Sequence, residues 1–92
     1  IQSASVDGAL GHRCLIAIDQ EGGRVMRTHS AITTAMPGAM SIGATGGRAA
    51  SHAEFVAKHM ALELSELGIN WNFAPCVDVN NNPQNPVINV AC

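Results

Sequence analysis

The chain is poor in basic residues, contains no long apolar run, and places none of its three cysteines in a C-x-x-C pattern. Five Lys and Arg against seven Asp and Glu leave a net charge of -2. Phosphate binding needs clustered cations, so no nucleic-acid partner is expected. No stretch is apolar over the length of a membrane-spanning helix, so no membrane partner is expected. No signal peptide is in view, which favours the cytoplasm without assigning a compartment. The cysteine spacing fits neither a zinc site nor a disulfide framework, and reduced, small apolar side chains are expected. Of the four histidines, His52 and His59 stand two helical turns apart, too far to close a tetrahedral site. With no H-E-x-x-H pattern either, no metal is expected, and no other cofactor. There is no internal repeat and no low-complexity tract.

What is present is organised around Leu15 to Arg27. Leu15 to Ile18 is a short, continuous apolar run without polar alternation, the pattern of a parallel strand buried on both faces, and the strand is read as Cys14 to Ile18. It stops at Asp19. Asp19, Gln20, Glu21, Arg24 and Arg27 then follow within nine residues, with Gly22-Gly23 supplying a turn closed to other residue types. Polar chemistry thus stands at the carboxyl end of a buried strand, where ligands bind in parallel α/β folds.

The rest of the chain supplies the partners of that strand. Ile1 to Arg13 has no clear period and reads as a helix tail or a loop. Asp19 to about Thr34 is a long loop, Met36-Pro37-Gly38 a turn, and Ala39 to Thr45 a short helical turn. A helix is predicted from about Arg48 to Leu67, with Ala49, Ala53, Val56, Ala57, Met60, Leu64 and Leu67 forming one apolar stripe. Glu54 and Lys58 lie four apart on its wet side, and Gly68 caps its end. Ile69 to Ala74 reads as a second strand, with Trp71 and Phe73 on one face and Asn70 and Asn72 on the other. Pro75 ends it, and Val77 to Asn89 is an Asn- and Pro-rich loop. Strand, loop, helix, strand is the order of a right-handed βαβ unit, so the fold class is α/β with two parallel, adjacent strands.

The site residues admit more than one reading. Asp19 and Glu21 are two positions apart, so in extended backbone their side chains point the same way with Cα atoms roughly 6.5 Å apart, near the spacing of a glycosidase carboxylate pair. Equally, one acid can bind a ligand while the other anchors the loop by pairing with Arg24 or Arg27. Asp78, just past the second strand, can reach the same mouth or cap loop amides. Gly43-Ala44-Thr45-Gly46-Gly47-Arg48-Ala49 is a rival motif, because a glycine-rich turn opening a helix can seat a pyrophosphate. It does not follow a buried strand directly, so a nucleotide-binding oxidoreductase segment is the weaker alternative.

Asp19-Gln20-Glu21-Gly22-Gly23-Arg24-Val25 closely resembles the signature of glycoside hydrolase family 3, in its β-N-acetylhexosaminidase branch. Gly68-Ile69-Asn70-Trp71-Asn72-Phe73-Ala74-Pro75-Cys76-Val77-Asp78-Val79 and Asn85-Pro86-Val87-Ile88 continue that resemblance in order. The family uses a TIM-type (β/α)8 barrel, which takes about 250 residues. The resemblance therefore implies that residues 1–92 are part of the family's N-terminal barrel domain, about two strands and one main helix. It implies an O-glycosyl hydrolase that releases terminal β-linked N-acetylglucosamine, or a related β-glycoside, with retention, and hence a carbohydrate substrate. It implies that Asp19 and Arg27 contact that substrate; Glu21 and Arg24, inside the same motif, are expected to hold the loop. The catalytic Asp nucleophile and His acid/base lie on later loops, so no catalytic residue is expected among these 92 and the fragment alone is expected to be inactive. Family members carry a sugar-binding arginine shortly after the Asn-Pro-Val-Ile block, where this chain has Ala91. A non-catalytic carbohydrate-binding derivative of the family is therefore the second alternative.

Overall fold

The computed structural model describes residues 1–8, 11–28 and 31–88. The elements run α1 (Gln2–Asp7), β1 (Ala17–Ile18), α2 (Ala39–Gly43), a 3-10 turn (Gly46–Arg48), α3 (Ala49–Glu66) and β2 (Trp71–Asn72). The two strands are parallel, with Ala17 opposite Trp71 and Ile18 opposite Asn72, as expected of a βαβ unit whose crossover is a helix.

Both strands are shorter than the apolar pattern predicts, and two asparagines account for it. Within the ladder, main-chain bonds run from Trp71 N to Ile16 O (3.1 Å) and from Phe73 N to Ile18 O (2.9 Å). Beyond it on either side, carboxamides replace the main chain of β2. Asn70 Oδ1 accepts from Ile16 N (2.8 Å) and its Nδ2 donates to Cys14 O (3.0 Å). Asn72 Oδ1 accepts from Gln20 N (3.0 Å) and its Nδ2 donates to Gln20 O (2.9 Å). Each carboxamide offers both a donor and an acceptor, so the segment Cys14 to Gln20 stays hydrogen-bonded to the second strand although only two residues pair through the backbone.

Helix α3 ends as the sequence predicts. Gly68 adopts φ +79°, its N–H donates to Ser65 O (3.0 Å), and Ile69 N donates to Leu64 O (2.9 Å). This is a Schellman closure, with Ile69 packed against the core cluster that includes Leu64. The buried core consists of Met36, Val56, Met60 and Leu64, with Ile18, Ile42 and Ile69 packed against it. Leu67 and the alanines at 53 and 57, expected on the buried stripe, are exposed, because α2 and β1 cover only the Val56–Met60–Leu64 side of α3.

The first residues hold more structure than their sequence suggests. Gln2, on α1, donates from Nε2 to Cys14 O (2.9 Å) and Gly68 O (3.0 Å) and accepts at Oε1 from Cys14 N (3.1 Å). One side chain thereby closes the amino end of β1 onto the cap of α3. Cys14 is a free thiol, but Cys76 is disulfide-bonded, which corrects the expectation of reduced cysteines; Cys92 lies outside the described residues. Spacing rules recognise clustered motifs and are blind to pairings created by folding.

Among the described residues, only one face of the strand pair is covered. Leu15 (72% exposed), Trp71, Phe73, Val77 (84%) and Val79 are open to solvent, and the Trp71 and Phe73 rings lean on each other with centroids 5.6 Å apart. The radius of gyration is 15.6 Å, against about 12 Å for a compact domain of this length.

Candidate functional site

The site begins where β1 ends. Ile18 is the last strand residue, and the chain then passes through Asp19 into a tight loop that returns by Arg27 and Thr28. Within that loop Glu21 N donates to Val25 O (2.9 Å) and Val25 N donates to Gly22 O (3.2 Å), so it is a narrow, hairpin-like turn. Gly22 (φ +88°) and Gly23 (φ +58°) occupy its corner. A Cβ on Gly22 would lie 2.3 Å from Pro37 O, and Gly23 N donates to Met36 O (2.7 Å). The double glycine is therefore needed twice, for the left-handed backbone and for close packing on the Met36-Pro37-Gly38 turn.

Gln20 secures the loop from inside. It is 1% exposed. Its Oε1 accepts from Arg27 N (2.8 Å) and Thr28 N (3.4 Å), and its Nε2 donates to Thr28 Oγ1, which is joined in turn to the buried Thr33 Oγ1. The outgoing and returning limbs are thus bridged by one side chain, and the outgoing limb is held to β2 by Asn72. A second attachment comes from α3, where the Glu63 carboxylate accepts from Thr34 N (3.0 and 3.1 Å) and Thr34 Oγ1 (2.6 Å). Gln20 was not a candidate from sequence; the signal that could have found it is an uncharged amide between two acids, at a position where a strand end must be tied to something.

On this frame the two predicted substrate contacts come together. Arg27 Nη2 lies 3.8 Å from Asp19 Oδ2, and the side chains are 61% and 52% exposed respectively. Both charged groups are more than half exposed and open to a ligand. Glu21 goes elsewhere: Glu21 Oε2 is buried with no hydrogen-bond partner among the described residues. The residue lines an apolar groove of about 500 Å³ with Ala53, Ala57, Met60 and Pro75. Asp19 and Glu21 thus occupy different surroundings and do not face one another as a carboxylate pair. Arg24 is exposed at the loop tip. Asp78 is exposed and lines a separate polar depression with Asn82 and Asn85; amide capping in that segment is done by the asparagines, with Gln84 N donating to Asn82 Oδ1 (3.0 Å) and Val87 N to Asn85 Oδ1 (2.9 Å). Ala91 lies outside the described residues.

The other candidate features have structural partners. His52 Nδ1 contacts Thr45 Oγ1 (3.1 Å), and His59 Nδ1 contacts Phe55 O (2.8 Å) beneath the Phe55 ring. Among the described residues no group of three or more His, Cys, Asp or Glu is placed to hold a metal. The glycines at 43, 46 and 47 connect α2 to the 3-10 turn, so this loop leaves a helix, whereas a pyrophosphate loop leaves a strand. No described helix is long and apolar enough to cross a membrane.

Known proteins are similar to this chain over most of its length. Beta-hexosaminidase A of Pseudoalteromonas piscicida is 52% identical over 91 residues, covering 98% of this chain and 15% of that protein. A beta-hexosaminidase of Methylococcus capsulatus is 37% identical over 73% of this chain and 20% of its own length. A beta-N-acetylglucosaminidase/beta-glucosidase of Cellulomonas fimi is 36% identical over 82% and 13%. The chain thus spans a fifth or less of the length of these three relatives. No solved structure matches it. The family described as Glycosyl hydrolase family 3 N terminal domain, a barrel of the TIM type, matches residues 1–92. With the Asp19 loop at the end of a parallel strand and this match over its whole length, the chain belongs to the glycosyl hydrolase family 3 N-terminal domain family.

Proposed function

We propose that these 92 residues are a βαβ segment of the barrel of a longer glycoside hydrolase that releases terminal β-linked N-acetylglucosamine, or a related β-glycoside, with retention. Asp19 and Arg27 hold the sugar. The observation that carries this reading is the Asp19–Arg27 pair itself, exposed and 3.8 Å apart directly after β1. A carboxylate accepts from two sugar hydroxyls at once, and a guanidinium offers several donors in a fixed plane, so together they match the alternating donors and acceptors of a pyranose rim. Arg24 stands on the loop that carries the pair, Glu21 lines the groove beside α3 and Asp78 lies in the segment after β2; none of the three is given a sugar contact.

The bare face of the strand pair supports the barrel reading, since Leu15, Trp71 and Phe73 need apolar neighbours and strands of a closed barrel find them in its interior. A retaining mechanism requires a nucleophile and an acid/base. Both are contributed by other loops of the complete protein. Ala91 supports a second reading, a carbohydrate-binding derivative without turnover. Assaying the full-length protein with 4-nitrophenyl N-acetyl-β-glucosaminide and the corresponding β-glucoside, with the first-formed anomer identified by NMR, tests the proposal. Hydrolysis giving the β-anomer is expected; binding without turnover favours the second reading, and the α-anomer contradicts retention.

A further inference from the structure

We infer that Asn72 is a positioning residue for the sugar-binding pair, acting through Gln20; the inference rests on the proposed glycosidase reading. Asn72 stands on β2 and is remote in sequence from the loop, yet its carboxamide holds both peptide groups that flank Gln20. Its Oδ1 accepts from Gln20 N (3.0 Å) and its Nδ2 donates to Gln20 O (2.9 Å). The first of these peptides carries Asp19 directly. With both planes held, the backbone from which the Asp19 side chain springs is fixed relative to β2, and the carboxylate turns only about its own side-chain torsions.

The second half of the linkage is the side chain of the same Gln20. Buried to 1% exposure, it receives Arg27 N (2.8 Å) and Thr28 N (3.4 Å) on Oε1. Asn72 therefore fixes Gln20, and Gln20 fixes the main chain of Asp19 on one limb and of Arg27 on the other. Asn72 Nδ2 also lies 3.5 Å from Met60 Sδ in the core, so the carboxamide is itself seated against α3. Asp19 and Arg27 are both more than half exposed and have little packing of their own to orient them. Their relative placement is consequently inherited from the buried amide of Gln20 and the half-buried amide of Asn72. A displacement of about 1 Å in a substrate contact can cost about a hundredfold in rate, so the effect of losing Asn72 falls on kcat/KM.

The test is a double-mutant cycle in the full-length enzyme, assayed with nitrophenyl β-glycosides, with melting temperatures recorded for every variant. Asn72→Ala is expected to lower kcat/KM about tenfold or more in the wild-type background while remaining folded at the assay temperature. In an Asp19→Ala background the same change is expected to cost less by about fivefold or more, because the group it positions is gone. A merely structural asparagine would instead lower the melting temperature and multiply the loss equally in both backgrounds, which overturns the inference. If Asn72→Ala does not fold, Asn72→Asp is taken through the same cycle, since it keeps the shape and the acceptor facing Gln20 N and replaces the donor facing Gln20 O. Failure of both to fold assigns Asn72 to the fold alone and also overturns the inference. A wild-type enzyme with no turnover of any β-glycoside removes the glycosidase reading itself and the inference with it, an outcome distinct from an active enzyme with additive losses.

Discussion

Arg27 Nη2 and Asp19 Oδ2 meet 3.8 Å apart with both side chains more than half exposed. At that exposure an ion pair contributes between about 0 and 1 kcal/mol, because water screens both charges and two long side chains must be held. The pair therefore adds little to stability. Asp19→Asn and Arg27→Gln should each change the unfolding free energy of the full-length protein by less than about 1 kcal/mol, measured by denaturant titration. A loss of several kcal/mol from either would make the pair a loop anchor.

Gly22 makes the opposite prediction. Its φ is +88° and a Cβ would stand 2.3 Å from Pro37 O and 3.2 Å from Met36 O. Gly22→Ala should destabilise the protein by at least about 2 kcal/mol, since it combines left-handed strain with a backbone clash that no rotamer can relieve. At Gly43, where nothing lies within 4 Å of an added Cβ and the backbone is helical, Ala should be neutral or slightly stabilising. Equal effects at the two positions, read as unfolding midpoints, would contradict the packing of the loop on the Met36-Pro37-Gly38 turn.

The contrast between Gln20 and its neighbours shows what was legible in the sequence. The course of α3, its glycine cap, the parallel strand pair and the strand-end placement of Asp19 follow from local rules: an apolar period, a glycine after it, and a polar break after an apolar run. The roles of Gln20 and Asn72 do not, because a buried amide is recognisable only once folding has brought its partners within hydrogen-bond distance. Strand length was misread for the same reason. Asn70 and Asn72 look like the polar face of a strand, yet they stand in for its main chain. Gln2 gave no signal at all, since its partners Cys14 and Gly68 are 12 and 66 residues away. The Glu21 carboxylate, read as a loop support, lies against α2 and α3 in an apolar groove, a surrounding set by which helices pack there.

A third prediction concerns the chain in isolation. Leu15, Trp71, Phe73, Val77 and Val79 are all exposed, and β1 and β2 pair only with each other among the described residues. Two short strands with open edges and a small core are insufficient for independent stability. The isolated 92-residue chain should aggregate or unfold without a cooperative transition by calorimetry, and it should not hydrolyse a chromogenic N-acetylglucosaminide. A sharp transition from a monomer, or turnover abolished by Asp19→Asn, would contradict the barrel-segment reading.

The most direct measurement of the central claim is kcat/KM of the full-length enzyme and its Asp19→Ala variant on 4-nitrophenyl N-acetyl-β-glucosaminide, with the melting temperature of each. A hydrogen bond to a charged group contributes about 1.5–3 kcal/mol, so a loss of roughly tenfold to a hundredfold or somewhat more is predicted at an essentially unchanged melting temperature. An unchanged kcat/KM with a lowered melting temperature would contradict it, and would make Asp19 an anchor of the loop and no ligand of the sugar.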